Sequence, residues 1–302
     1  MIYVWHHVCT ALLAVASGAV LVRARWTHRS PHLAVLLWQA TALGAVTATV
    51  GALLSAGLEP YGRGIVPALS RLGAELAAGA PHPGLGAGHV TAIVAGLLLT
   101  TWTATVQIVS SWRAGRHRSR HRLLLRLVGR SDAHERAVVL DHPVAAAYYL
   151  PGPSGCVVVS SGALEALTPS QLEAVLAHED AHAREHHHLA LAPFHALRRA
   201  VPCRLTARMG DSIELLVEMC ADDGAARRHG PAPLIAALDR FHALGASPVP
   251  PGALAVGGHA TAQRIDRLRA AHPPLSAPLR NLVVLAALAV GLTPLSLFVL
   301  PA

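Results

Sequence analysis

Four long apolar stretches constrain the fold of this chain more than any other feature. They cover about residues 2–22, 33–57, 89–111 and 281–300, and none contains Asp, Glu or Arg. Each is long enough to cross a bilayer as a helix, which needs about 20 residues. A mean hydropathy of +0.43 and a charged fraction of 14% are too apolar for an ordinary soluble domain. We therefore predict four transmembrane helices.

Arginine residues at the ends of these stretches predict their orientation. Arg23, Arg25 and Arg29 follow the first stretch, and a run of arginines between 113 and 130 follows the third. Basic residues remain on the cytoplasmic side of a membrane. We therefore expect a multi-pass protein of the cell membrane, with the region between the third and fourth stretches in the cytoplasm and both termini outside.

The first stretch and the arginine run each have a second interpretation. The first stretch has no basic residue before it and no clear cleavage site, so we expect a retained anchor rather than a signal peptide. The arginine run could bind nucleic acid. Its position directly after a span favours anionic lipid headgroups instead. We expect the lipid bilayer as a partner and no nucleic acid, with an extracellular Gly/Pro-rich loop over about 58–88.

The segment His178-Glu179-Asp180-Ala181-His182 reads H-E-x-x-H. On a helix, positions four apart lie on one face, so His178 and His182 can share one metal ion. Zinc accepts imidazole nitrogens, and its catalytic sites leave one coordination position for water. Glu179 is then placed to act as the general base that takes a proton from that water.

A helix start precedes this motif. Thr168 is a suitable N-cap, Pro169 stands at the first helical position, and Gln171 completes a capping box. We predict one helix over about 169–190, which places both histidines in its middle.

Three residues are candidates for the third metal ligand. His188 occupies the last position of the metzincin pattern, but Glu185 replaces the glycine at which that pattern turns. Glu185 itself lies nearly two turns beyond His178, which strains a shared site. Glu218 lies on a second predicted helix over about 212–228.

The second predicted helix has the features of a partner for the first. Asp222 is one turn from Glu218 and shares its face, so it can orient a metal-binding imidazole. Ala221 and Ala225 are small enough to let the two helices approach closely. Cys220 is turned away from Glu218, and we expect it to be a core residue.

The motif and its surroundings resemble the gluzincin membrane proteases of the M48 and M56 types. H-E-x-x-H at His178 is followed by E-x-x-A-D at Glu218. The upstream segments resemble the run from active-site strand to metal helix in these families: Ala147–Gly152, Val157–Leu164 and Leu172–Ala177. The nearest type is M56, the family of the beta-lactam sensor-transducers, and the resemblance covers about 113–270.

The resemblance implies roles for individual residues. His178, His182 and Glu218 match the zinc ligands, Glu179 matches the base, and Asp222 matches the acid that supports a ligand.

Two further positions are less regular. Related M48 proteases place a late histidine and arginine near the reacting carbonyl, and His259 and Arg264 resemble this pair with a different spacing. We treat both as candidates for stabilising the oxyanion. Many members carry Asp where this chain has His187, which puts an ion pair at that position in doubt.

These observations predict a mainly α protein with three parts. Residues 1–112 form a three-helix transmembrane region, and residues 281–302 form a C-terminal transmembrane helix. Residues 113–280 form a cytoplasmic zincin-like α+β metalloprotease domain with a small sheet. We expect an extended substrate to pair with an exposed strand edge near Val157–Ser160.

The expected function is that of a zinc (Zn²⁺) endopeptidase in the membrane. Its substrates are cytoplasmic or membrane-proximal proteins, and the M56 resemblance suggests a cytoplasmic transcriptional repressor. A second possibility is membrane-protein quality control, as in M48 relatives. A third is a non-catalytic membrane sensor or scaffold that binds metal without hydrolysis.

Overall fold

A computed structural model describes residues 2–62, 64–80, 82–132, 137–152, 155–244, 254–255, 261–270 and 273–299. The chain divides into two units. Unit 1 comprises Met1–Arg25, Leu33–Gln107 and Leu275–Ala302. Unit 2 comprises Trp26–His32 and Ile108–Pro274.

Four helices are long and apolar enough to cross a membrane, which confirms the four predicted spans. They are α1 (Ile2–Leu21), α2 (Pro31–Gly57), α4 (Ala87–Val128) and α11 (Ala277–Val299). Within unit 1, Gly44 of α2 lies against the backbone of Val290 in α11, where a side chain would not fit. Small residues at such crossings let membrane helices pack closely.

The segment expected to be a loop contains a helix, α3 (Ile65–Ala77). Ile65 and Ala68 are buried in one cluster with Leu58 and Ile93. The loop prediction was wrong because glycines and prolines flank this segment, while its interior has the apolar spacing of an amphipathic helix.

The third span continues as helix far beyond its apolar part. We predicted a span over 89–111, and α4 runs to Val128 without interruption. The arginines from Arg113 to Arg126 therefore lie on a helix, while Arg130 lies on the strand that follows it. Arg116 stacks over the ring of Trp112, with its Cζ atom 4.7 Å from the ring centroid.

The sheet of unit 2 has the strand order β1-β2-β4-β3-β5. Its strands are β1 (Gly129–Asp132), β2 (Ala137–Leu140), β3 (Ala147–Leu150), β4 (Cys156–Ser160) and β5 (Leu254–Ala255). β4 pairs with β2 in parallel and with β3 antiparallel. The prediction of an exposed edge at Val157–Ser160 was therefore wrong. The apolar run of β4 is typical of a strand covered on both faces.

Besides the end of α4, the described part of unit 2 contains the helices α5 (Ser161–Ala166), α6 (Pro169–Arg184), α7 (His187–Ala200), α8 (Arg204–His229), α9 (Pro231–Ala243) and α10 (Thr261–Ala270). Its core joins the sheet to these helices. Val157 and Val159 of β4 share one buried cluster with Val175 of α6, Leu238 of α9 and Ile265 of α10. This core fixes α6 beside the sheet.

The boundaries of the two helices that carry the predicted metal ligands differ from the prediction. The capping box of Thr168 and Gln171 begins α6 as expected. The helix ends at Arg184 rather than near 190, because His186 adopts a left-handed conformation with φ of 50°. Histidine is one of the non-glycine residues enriched in that region. α8 begins at Arg204, eight residues before the predicted start.

Candidate metal centre

Three predicted ligands converge from two helices. Nε2 of His178 lies 3.1 Å from Nε2 of His182 on α6. A carboxylate oxygen of Glu218, on α8, lies 3.3 Å from the first nitrogen, and the other oxygen lies 3.5 Å from the second. Both imidazoles are fully buried. The structure therefore brings His178, His182 and Glu218 to a single point.

Glu185 and His188, which the sequence left as candidates for the third ligand, lie apart from this point. Glu185 is in the turn after α6, where one carboxylate oxygen lies 3.0 Å from Nε2 of His187. His188 is half-buried on α7, and neither residue belongs to the group formed by His178, His182 and Glu218.

Small residues allow α8 to approach α6 closely. Ala221 and Ala225 are fully buried, as the sequence predicted. At Gly224 the two helices lie so close that an added Cβ atom would lie 2.8 Å from the Cβ of Ala181. This close packing accompanies the contact of Glu218 on α8 with His178 on α6.

Asp222 supports His178 from the side opposite Glu218. Its Oδ1 atom lies 3.1 Å from Nδ1 of the imidazole. Burial raises the pKa of Asp222, but the guanidinium of Arg264 and the contact with His178 outweigh burial and hold the pKa well below its usual range. Asp222 is therefore ionised, as a residue that orients a metal-binding histidine requires.

Arg264 contacts both acidic residues of the site. Its Nη2 donates to Oδ1 of Asp222 at 2.6 Å, and its Nη1 lies 2.8 Å from Oε2 of Glu218. The side chain is buried on α10. The sequence suggested Arg264 as a residue near the reacting carbonyl, and the structure places it against carboxylates. His259, the second suggested residue, lies outside the described residues.

His182 is supported by a contact that the sequence did not reveal. Its Nδ1 lies 2.9 Å from Nδ1 of His187, whose Nε2 lies 3.0 Å from Glu185. His187 thus lies next to a ligand at the position where related proteases often carry Asp. The left-handed turn at His186 brings His187 back toward α6, and no glycine or proline marked that turn.

Glu179 is fully buried beside this ligand set. Neither carboxylate oxygen has a hydrogen-bond partner among the residues that the structure describes. Burial raises its pKa to about 8, with a further contribution from the charge of Glu218. The charge of His178 and the nearby backbone N–H of Tyr149, on β3, lower the pKa in part, although that N–H does not meet hydrogen-bond geometry to either oxygen. A buried carboxylate without a partner costs free energy unless a bound group completes the site.

The protonation states of the donors suit a metal ion. Burial holds the pKa of His182 well below its ordinary value, so its imidazole is neutral. Burial also raises the pKa of Glu218, but Arg264 and the histidines outweigh it and lower the pKa to about 2. Burial lowers the pKa of His178, yet its contacts with Asp222 and Glu218 prevail and raise it to about 9. A metal ion would therefore displace one proton from His178.

The donor set and the unpartnered base together define a zincin-like metal centre. Two imidazole nitrogens and one carboxylate form a set that zinc uses in catalytic sites, with a fourth position open. The residues present fit that metal.

Comparison with known families agrees with this class. The model of Peptidase family M48 matches residues 112–282, which is more than half of the chain. The chain belongs to this family, and with its four apolar helices it is a membrane metalloprotease. The match does not distinguish the M56 type, which stays a prediction. Searches of curated proteins and of solved structures each gave no match.

Proposed function

We propose that the protein is a zinc endopeptidase that hydrolyses peptide bonds of membrane-proximal or cytoplasmic proteins. One observation carries this proposal: the donor atoms of His178, His182 and Glu218 lie within 4.8 Å of one another. The unpartnered carboxylate of Glu179 is buried beside them. A purely structural metal site has four protein ligands and needs no free base.

When bound, zinc supplies a Lewis acid that polarises the scissile carbonyl and acidifies a water molecule. Glu179 would accept a proton from the attacking water at its carboxylate and return one to the leaving amine. The raised pKa of Glu179 makes its carboxylate a stronger base. A metal cation beside it would lower this pKa, so that the carboxylate is ionised before it takes up the proton. Asp222 holds Nδ1 of His178 so that Nε2 is free to bind the metal.

Arg264 and His259 have different proposed roles. The contacts of Arg264 with Asp222 and Glu218 support a positioning role, in which the guanidinium holds both carboxylates in place. We propose His259 as the residue that stabilises the oxyanion, by analogy with the late histidine of M48 proteases.

The sheet suggests where an extended substrate aligns. Tyr149 of β3 has its backbone N–H beside Glu179. On the side away from β4, the pairing of this strand within the described residues is with Leu254–Ala255, over two residues. We propose that the substrate strand enters on this side of β3, because backbone pairing there accepts a chain of any sequence.

The substrate class follows from the two resemblances. The M56 resemblance supports regulated cleavage of a cytoplasmic transcriptional repressor. The M48 family match supports membrane-protein quality control as the second possibility. Comparative proteomics of cells that carry the wild type or Glu179→Gln distinguishes them. A single accumulating repressor favours the first, and many accumulating membrane proteins favour the second.

We propose that unit 2 faces the cytoplasm, with the start of α1 and the end of α11 outside. The arginines after the third span support this orientation, because those from Arg113 to Arg126 lie on the continuous helix α4 directly after its apolar part. Contact with anionic lipid would contribute about 1 kcal/mol per arginine near the surface. Reporter fusions at residues 24 and 84 test the topology, since only the fusion at 84 should show extracellular phosphatase activity.

The direct test of hydrolysis uses Glu179→Gln. We expect the purified variant to bind zinc as the wild type does and to lose cleavage of a quenched fluorescent peptide library by about 10²-fold or more. Metal removal from the wild type should abolish cleavage, and zinc should restore it. If Glu179→Gln cleaves at the wild-type rate, the chain binds metal without this mechanism, as a non-catalytic sensor or scaffold would.

A further inference from the structure

A second group of metal-binding side chains lies within unit 2, apart from the proposed hydrolytic residues. It consists of His32 in the first turn of α2, Glu185 after the end of α6, and Cys220 on α8. Nε2 of His32 lies 3.0 Å from Oε2 of Glu185. The donor atoms of all three residues lie within 4.8 Å of one another.

The burial of these residues suits an ion that enters from solvent. The side chains of His32 and Glu185 are 46% and 30% exposed. Cys220 is only 2% exposed, so its sulfur lies at the base of the group. The sequence predicted a core position for this cysteine, and the structure confirms its burial. The structure also shows that its sulfur lies near the donor atoms of His32 and Glu185.

The local charges also favour a cation. Burial raises the pKa of the Cys220 thiol, and the negative charges of Glu185, Asp223 and Asp222 raise it further against Arg267, so a bound cation would have to displace the thiol proton. Asp223 is paired with Arg267 at 2.8 Å, which leaves Glu185 as the carboxylate available to an ion.

The donor types identify the class of metal. One imidazole nitrogen, one carboxylate oxygen and one thiol sulfur suit zinc and similar thiophilic ions rather than magnesium or calcium. Bond lengths of about 2.0–2.3 Å to zinc place tetrahedral donor atoms roughly 3–4 Å apart. The donor atoms already lie within 4.8 Å of one another, so a contraction of about 1 Å reaches this spacing.

We propose that His32, Glu185 and Cys220 bind a second thiophilic divalent cation. Within unit 2, this site joins His32 to the end of α6 and to α8. It does not depend on peptide hydrolysis. The competing interpretation is that Glu185 only bridges two imidazoles, because Nε2 of His187 also lies 3.0 Å from its Oε2.

Cobalt loading of the full-length protein separates these interpretations. Purified protein in detergent is stripped of metal and titrated with Co²⁺, and bound metal and the absorption spectrum are recorded. We expect about two equivalents per chain and a thiolate-to-cobalt charge-transfer band in the near ultraviolet. The proposed hydrolytic site contains no sulfur, so only the second site produces this band.

Variants assign the band to its site. Cys220→Ser should remove the band and about one equivalent of cobalt, and His32→Gln, at an exposed position, should lower the affinity for that equivalent at least 10-fold. Cys203→Ser, at the exposed cysteine before α8, should behave as the wild type. Glu218→Gln should lose the other equivalent and keep the band, so the two proposals fail independently. A wild type without the band, or a band that persists in Cys220→Ser, overturns the second site.

Discussion

Arg264 holds Asp222 by two hydrogen bonds, from Nη2 to Oδ1 at 2.6 Å and from Nε to Oδ2 at 2.9 Å. The same Oδ1 atom lies 3.1 Å from Nδ1 of His178. A candidate metal ligand on α6 is therefore held by an acid on α8, which is held in turn by an arginine on α10. All three side chains are buried. The geometry of the site depends on this chain of contacts.

Arg264→Gln should destabilise unit 2. It removes the cation that compensates the buried carboxylates of Asp222 and Glu218, and breaking a buried ion pair costs about 3–5 kcal/mol. Arg264→Lys should recover part of this loss, because Lys keeps the charge without the two-pronged contact. Denaturant unfolding in detergent measures the unfolding free energies of both variants. The control is Arg269→Gln, which breaks an exposed pair with Asp239 and should cost at most about 1 kcal/mol. Equal effects of the two Gln variants would contradict this role.

Asp222→Asn should weaken zinc binding without abolishing it. The amide cannot hold the Nδ1 proton of His178 as a carboxylate does, and loss of such a partner lowers metal affinity about 10–100-fold. Competition with a chromophoric chelator measures the change. Asp239→Asn, which removes an exposed carboxylate on α9, should leave the affinity unchanged. An unaltered affinity in Asp222→Asn would show that this acid does not orient the ligand.

Gly224→Ala should push α8 away from α6. The new methyl group would lie 2.8 Å from the Cβ of Ala181, so the helices must separate. We expect a loss of about 1–3 kcal/mol in unfolding free energy together with weaker zinc retention. The matched control is Gly210→Ala on the same helix, where the nearest atom lies at 3.7 Å. That change should be neutral or stabilising, because alanine has the higher helix propensity. A stable, zinc-replete Gly224→Ala protein would refute the close approach.

His188 should make stability depend on pH. Burial lowers the pKa of this imidazole to about 4, and Arg118, His186 and His187 act in the same direction. Since the folded pKa is below the unfolded value of 6.5, the contribution is complete above about pH 6.5 and is lost as the pH falls toward about 4. His188→Gln should lose less stability over this range, by on the order of 1 kcal/mol after allowance for partial exposure.

Denaturant midpoints at neutral pH and at about pH 4.5 test this difference. His242→Gln, at an exposed position on α9, serves as the control and should follow the wild type. The same acid sensitivity in His188→Gln as in the wild type would contradict the prediction.

The sequence was sufficient to predict those parts of the candidate site that depend on the periodicity of a single helix. The spacing of His178 and His182 places them on one helical face, and the capping box at Thr168 fixes where α6 begins. Glu218 could be predicted as a ligand because it lies four residues before Asp222 on a second predicted helix, in a motif that resembles known proteases. The four spans followed from length and hydropathy alone.

The remaining features of the site and of the sheet depend on tertiary contacts, which local sequence patterns do not reveal. The left-handed conformation of His186 ends α6 without glycine or proline, and it carries His187 back toward His182. The burial of Arg264 against two acids depends on how α10 packs, which charge spacing does not reveal. β4 was assigned to an edge because a run of valines does not indicate how many strands pair with it.

The most direct test of the metal centre compares Glu218→Gln with Glu214→Gln. Both residues lie on α8, one turn apart, and Glu214 contacts only the exposed His195 among the residues that the structure describes, at 2.9 Å. Bound zinc and peptide hydrolysis are measured on the same purified samples, in a Cys220→Ser background that removes the second proposed site. We predict that Glu218→Gln loses both the zinc and the hydrolysis, while Glu214→Gln keeps both. Full zinc content with wild-type hydrolysis in Glu218→Gln would contradict a metal centre built from α6 and α8.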